Sequence, residues 1–276
     1  MGLCLARPRK QSTCPDRGLT GNVRSVSAPG ESVSPIESSR AQAAMLAGIG
    51  GFVDAAGFLA ILGLFTAHMS GNTTGLGVAL ATEHWDEAIR RGVVIPIYIL
   101  ATVAGVAWIE AASLEGHPPN LRNRAIAGVL GAEVVMLAVF MIAAGRIGEP
   151  VALDSHRTGF FVTASAATLA MGFQNAALRR TPDTAVHTTF VTGMLTELSV
   201  AVVRWILNAQ RGRESEAIRS RQIASVALII WSAYLLGAIT GAWLVSRHGI
   251  WTLSLPIALL LSLIPSLLQP AAPSPR

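Results

Sequence analysis

Charge is what this chain has least of. Acidic and basic residues make up 13% of its 276 residues, about half the ~25% usual in soluble domains. From Ala41 to Thr82 the only carboxylate or basic group is Asp54, and His68 is the only other titratable side chain. A run that long exceeds the ~20 apolar residues that span a bilayer, which excludes a water-soluble core element. Cysteine is scarce too. Cys4 and Cys14 both lie near the N-terminus, so neither a disulfide framework nor a cysteine metal site is implied. A phosphate-binding Gly-rich loop with Lys is absent, which leaves ATP-driven chemistry to another subunit. Residues 1–40 hold no apolar stretch of signal-peptide length. Rich in Ser, Pro, Gly and Arg, they read as a disordered basic arm.

What is present is apolar sequence: 51% hydrophobic residues and a mean hydropathy of +0.51. Eight segments emerge between polar breaks, at 41–65, 67–82, 92–114, 125–145, 158–178, 187–207, 223–245 and 250–268. The second is the weak one. His68 to Thr82 reaches only about 22 Å as a helix, short of the ~30 Å hydrocarbon core, and it contains Gly71, Gly75 and Gly77. It reads either as a short span or as half of a re-entrant hairpin, giving six to eight crossings. The net charge of +5 does not indicate nucleic acid, because the basic residues sit between apolar segments. With eight crossings and a cytoplasmic N-terminus, 16 of the 21 Lys and Arg residues fall on the cytoplasmic side. That asymmetry predicts both termini in the cytoplasm of a bacterial inner-membrane protein.

A motif occurs twice. Gly51-Phe52-Val53-Asp54-Ala55 returns 121 positions later as Gly172-Phe173-Gln174-Asn175-Ala176. The Ser70-Gly71 step returns 122 positions later as Thr192-Gly193. The expected architecture is an all-α transmembrane bundle of two parallel homologous halves. Its parts are a basic cytoplasmic arm (1–40), a first membrane repeat (41–145), a cytoplasmic linker (146–157), a second repeat (158–268) and a short tail (269–276).

The first motif, with Phe65-Thr66-Ala67-His68-Met69-Ser70-Gly71-Asn72-Thr73 after it, resembles the signature of the YoaK-like family of bacterial multi-pass membrane proteins. The second-half steps resemble that family's later motif, and the likeness covers about residues 41–268. The resemblance implies an integral membrane protein of undefined biochemical role.

The polar residues inside apolar sequence are the functional candidates. Asp54 leads, because a carboxylate in hydrocarbon costs about 2.5–3.5 kcal/mol on insertion scales; the plainer alternative is a cap near a helix end. Gln174 and Asn175 occupy the equivalent place, with interhelical hydrogen bonding as their alternative. His68, Ser70, Gly71 and Asn72 read as a broken helix lining a cavity or as a close-packing stripe, and Thr192 and Gly193 repeat that step. Glu133 and Glu197 sit mid-segment, and Glu197 follows Gly193 by one helical turn. Neither a nucleophile–base pair nor a metal-ligand set can be assembled, so the chain reads as a non-enzyme with no cofactor. The expected role is a small-solute permease or exporter, with proton coupling through Asp54 as one version; the alternative is a non-transporting scaffold or ligand sensor. Expected partners are the bilayer and an unidentified small solute, with a second copy of the chain left open.

Overall fold

The computed structural model describes residues 35–114, 119–148, 157–178 and 191–268. Every regular element among them is helical: α1 (Pro35–Ala60), α2 (Met69–Ala81), α3 (Trp85–Ala111), α4 (Pro119–Ile147), α5 (Arg157–Leu178), α6 (Val191–Gln210), α7 (Glu214–His248) and α8 (Ser254–Leu268). A single 3₁₀ turn, Ile250–Leu253, precedes α8. The eight apolar segments thus correspond to eight helices. Helix α1 begins earlier than the 41 boundary, with Pro35 at its first position, where proline's missing N–H costs nothing. The rest of the expected arm lies outside the described residues.

Among the described residues, five helices are long and apolar enough to cross a membrane: Arg40–Ala60, Trp85–Ala111, Leu121–Ile147, Glu214–His248 and Ile250–Leu268. Their outward faces are apolar, with Leu100 on α3 66% exposed and Leu236 on α7 63% exposed. Large apolar side chains turned outward on several helices fit acyl chains, not water. The chain is a multi-pass membrane protein. Helices α5 and α6, of 22 and 20 residues, reach about 30 Å but carry more polar side chains. With 35 residues α7 extends about 52 Å, so its Glu214–Arg221 end stands clear of the hydrocarbon. The gap between the apolar segments 187–207 and 223–245 therefore shrinks to the turn at Arg211-Gly212-Arg213.

Small residues set the packing. A Cβ on Gly51 would lie 2.0 Å from the Tyr234 carbonyl oxygen and 3.0 Å from the Ala238 nitrogen. One on Gly237 would lie 2.0 Å from the Gly48 oxygen, and one on Gly241 2.7 Å from the Phe52 oxygen. Helices α1 and α7 thus touch backbone to backbone, as small-residue membrane crossings allow. Helices α5 and α3 meet the same way: a Cβ on Gly172 would lie 2.5 Å from Ala101 Cβ and 3.1 Å from the Tyr98 oxygen, and one on Gly105 2.7 Å from Ala176 Cβ. In both seams the contacting residue numbers rise together, so α1 runs parallel to α7 and α5 parallel to α3.

These directions correct the expectation of parallel halves. Trp251, just past the end of α7, packs on Gly145 near the end of α4, so α4 runs with α7 and α1. Helix α3 runs against α4, with Gly105 beside Val129 and Gly128 beside Trp108. Helix α5, parallel to α3, therefore runs against α1. The two helices that carry the repeated motif point in opposite directions. The physical reason lies in the first connection. Arg90, near the start of α3, donates a hydrogen bond to the Leu62 carbonyl just after α1. Helix α2 runs antiparallel to α3, because only residues 82–84 join the two and Gly75 packs on Arg91 across that turn. Helix α2 therefore continues the traverse of α1 and does not return it. The same directions place Arg146 and Arg157 at the end of the bundle opposite the start of α1, not beside it as a cytoplasmic linker requires.

Gly237→Val is expected to lower stability by about 1–3 kcal/mol through overpacking of the α1–α7 seam. Gly77→Ala, where a Cβ meets nothing within 4 Å, is expected to be neutral or stabilising by up to about 1 kcal/mol. Thermal unfolding of both variants in detergent checks the contrast.

Candidate functional site

Between α1 and α2 the backbone leaves the helix. Leu62 and Gly63 take left-handed conformations (φ 48° and 78°), which stops α1 and turns the chain back. For Leu62 that conformation costs about 1–2 kcal/mol. The returning segment lies against α1: a Cβ on Gly57 would be 2.3 Å from Thr66 Cγ2. Ile61, Leu64 and Thr66 are buried, whereas Phe58, Leu59 and Leu62 face outward. The polar groups of this non-helical backbone need partners in an apolar surrounding.

Two side chains supply them. Asp54 is 4% exposed. Its Oδ1 accepts hydrogen bonds from the Thr66 N–H (2.7 Å), the Ala67 N–H (2.9 Å) and the Thr66 hydroxyl (3.0 Å). Its Oδ2 accepts one from the Tyr234 hydroxyl of α7, at 2.8 Å. Asn72 is fully buried on α2. Its amide nitrogen donates to the Phe65 carbonyl (2.7 Å), and its Oδ1 accepts from the Phe65 N–H (3.3 Å). Together the two side chains replace the missing helical hydrogen bonds of residues 65–67 and tie the segment to α7. The carboxylate also sits near the positive end of the α2 dipole. His68 occupies the N-cap position without a side-chain cap bond, its ring centroid 5.3 Å from that of Phe65. A Cβ on Gly71 would come within 3.0–3.2 Å of both rings, so glycine is what lets them settle there.

The other candidates scatter. Gln174 bridges the two central helices: its amide nitrogen donates to the Leu46 carbonyl at 2.6 Å, while Oε1 packs on Gly50 without a hydrogen-bond partner. Asn175 is buried on α5. Ser70 is exposed, as are Thr192, Gly193 and Glu197 on α6. Helix α6 packs chiefly on α7 and reaches α1 through Met194, which clusters with Ala47, Val226 and Ile230. The structure thus gathers Asp54, His68, Gly71 and Asn72 around one unwound segment and leaves the α6 residues outside it. Among the described residues, no three His, Cys, Asp or Glu groups converge on a metal-sized site.

The partner that Asp54 finds in Tyr234 and the isolation of Glu133 were not foreseen from sequence. Tyr234 completes the Asp54 clasp, and Tyr98 takes the corresponding place in the α3–α5 seam. A signal existed: they are the chain's only two tyrosines, 136 positions apart, each with Ala or Gly three residues on and Gly seven residues on. Glu133, mid-way along α4, is fully buried, and neither carboxyl oxygen has a hydrogen-bond partner. The buried hydroxyls of Thr163 and Thr168 on α5 are likewise unpartnered.

A family profile described as protein of unknown function (DUF1275) matches residues 42–265. The chain belongs to this family. Neither a curated protein nor a solved structure matches the chain. In this DUF1275 chain the matched region begins just before the Gly-Phe-x-Asp-Ala motif and ends within α8, so it takes in the clasp and both seams.

Asp54→Ala is expected to cost about 3–5 kcal/mol, because buried donors lose a charged partner. Tyr234→Phe, which removes one hydrogen bond to that charge, is expected to cost about 1.5–3 kcal/mol. Glu133→Met should be neutral or stabilising by about 1–3 kcal/mol, since it replaces a buried carboxyl that has no hydrogen-bond partner with an apolar side chain of similar size. Melting temperatures of the three variants in one detergent rank them.

Proposed function

We propose that the chain is a small-solute permease or exporter of a bacterial inner membrane, built as an inverted repeat. In this reading α1–α4 and α5–α8 are homologous halves related by a two-fold axis in the membrane plane, and α1/α2 and α5/α6 are broken helices that each cross once. The supporting observation is the antiparallel pair α1 and α5, each packed in parallel on the third helix of the other half through equivalent small residues. Gly50 beside Met171, residues 121 positions apart, lies where that axis would pass. Inverted repeats with unwound helices at the repeat interface are a recurrent transporter architecture. The Asp54 clasp, joining an unwound segment of one half to α7 of the other, is the contact such a motion would make and break.

Six crossings also keep the orientation argument. Among the described residues, Arg40, Arg122, Arg124, Arg204, Arg211, Arg213, Arg219 and Arg221 then fall on the side where α1 starts, and Arg90, Arg91, Arg146, Arg157 and Arg247 fall opposite. Arg179 and Arg180 lie outside the described residues. In this reading the basic excess on that side is the cytoplasmic one, and both termini are cytoplasmic.

One observation favours the second reading, a non-transporting scaffold or sensor: four donors already saturate the Asp54 carboxylate. A membrane-impermeant maleimide separates the two. In a chain freed of Cys4 and Cys14, Gln174→Cys should be labelled from each aqueous side in turn if the halves alternate. Full protection in both right-side-out and inside-out vesicles would reject the permease. In proteoliposomes, Asp54→Asn should abolish solute-dependent dissipation of a pH gradient; an unchanged response would reject proton coupling at this residue.

A further inference from the structure

A cleft of about 350 Å³ opens between α6 and α7, near the turn that joins them. One wall is a stripe on α6 carrying Glu197, Arg204 and Asn208; the other is a stripe on α7 carrying Glu216, Arg219 and Ser220. Positions spaced by three, four and seven share a helix face, so two polar stripes meet where two apolar ones would have closed the seam. The charges are not paired across the cleft. Glu216 reaches Arg213 on its own turn at 3.4 Å, and neither Arg204 nor Arg219 makes an ion pair among the described residues. Glu197 stands two turns, about 10 Å, along α6 from Arg204, away from the turn.

The surroundings set the level in the membrane. Trp205 is 39% exposed beside the cleft, with the Arg221 guanidinium 5.7 Å from its ring centroid. Exposed tryptophan beside arginine marks the headgroup layer. Leu207 and Ile218, 41% and 58% exposed, supply apolar surface beside it. Two free guanidiniums with an amide and a hydroxyl suit a phosphate oxygen cluster, and apolar flanks at that depth suit acyl chains.

We infer that the α6–α7 cleft is a binding site for the phosphodiester headgroup of an anionic membrane lipid, with Arg204 and Arg219 as its charged clamp. Both arginines are solvent-exposed, so their replacement leaves the packed seams intact. The test uses the full chain purified in a mild detergent, with retained phosphatidylglycerol measured against phosphatidylcholine by native mass spectrometry. Phosphatidylglycerol should be preferred, and Arg204→Gln and Arg219→Gln should each weaken its retention about fivefold, as expected for one basic residue at a charged surface. Arg247→Gln, at the far end of α7, should leave it unchanged. Equal retention of the two lipids, or no loss in the double variant, would overturn the site. Displacement of the lipid by millimolar inorganic phosphate would overturn the lipid assignment and make the cleft a site for a soluble phosphate.

Discussion

Backbone that leaves a helix inside a bilayer must find hydrogen-bond partners within the protein, because the hydrocarbon offers none. In this chain that constraint falls on residues 61–68, and Asp54 and Asn72 meet it. The presence of an ionised-type side chain in an otherwise uncharged stretch of forty residues follows from this need. A serine or asparagine at position 54 offers fewer acceptor sites than the four bonds that converge there. The clasp also reaches α7, 180 residues along the chain, through Tyr234, so local chain reversal and the α1–α7 contact are one structural unit.

The glycines serve the same unit from the other side. Tyr234 can reach Asp54 only because α1 and α7 approach to backbone contact at Gly48, Gly51, Gly237 and Gly241. Side chains at these positions would push the helices apart by more than a hydrogen bond can stretch. The α3–α5 seam repeats the approach with Ala101 where α7 has Gly237, and is accordingly a looser contact between side chain and backbone. Around these two seams, α2, α6 and α8 form the lipid-facing periphery, with only a few positions buried on each.

Much of the fold was legible in the sequence. The eight apolar segments became eight helices, and the repeated Gly-Phe-x-(Asp/Asn)-Ala motif located the two central ones. The direction of the second set was not legible. Apolar runs report how many helices there are, but not whether a glycine-broken pair crosses once or twice, and that parity decides whether α1 and α5 point the same way. Leu62, whose carbonyl meets Arg90 and fixes the answer, looks like any other apolar residue in the run. Among site residues, Asp54 and Asn72 were recognisable because polarity in an apolar stretch demands a reason. Thr192 and Gly193 carried the same signal yet are exposed, and Glu197 lines the α6–α7 cleft, because α6 packs chiefly on one neighbour where α1 packs on several. The isolation of Glu133 depends on which side chains surround it across helices, and no spacing along the chain reports that.

The clasp has a consequence for biogenesis. Tyr234 lies 180 residues after Asp54 in the chain, so at ordinary translation rates its hydroxyl emerges roughly 10–35 s after the carboxylate has entered the membrane. During that interval α1 sits in the bilayer with one carboxylate oxygen unserved and a glycine face uncovered. Until α7 arrives, that oxygen and that glycine face must be covered by something other than the helix that covers them in the folded chain.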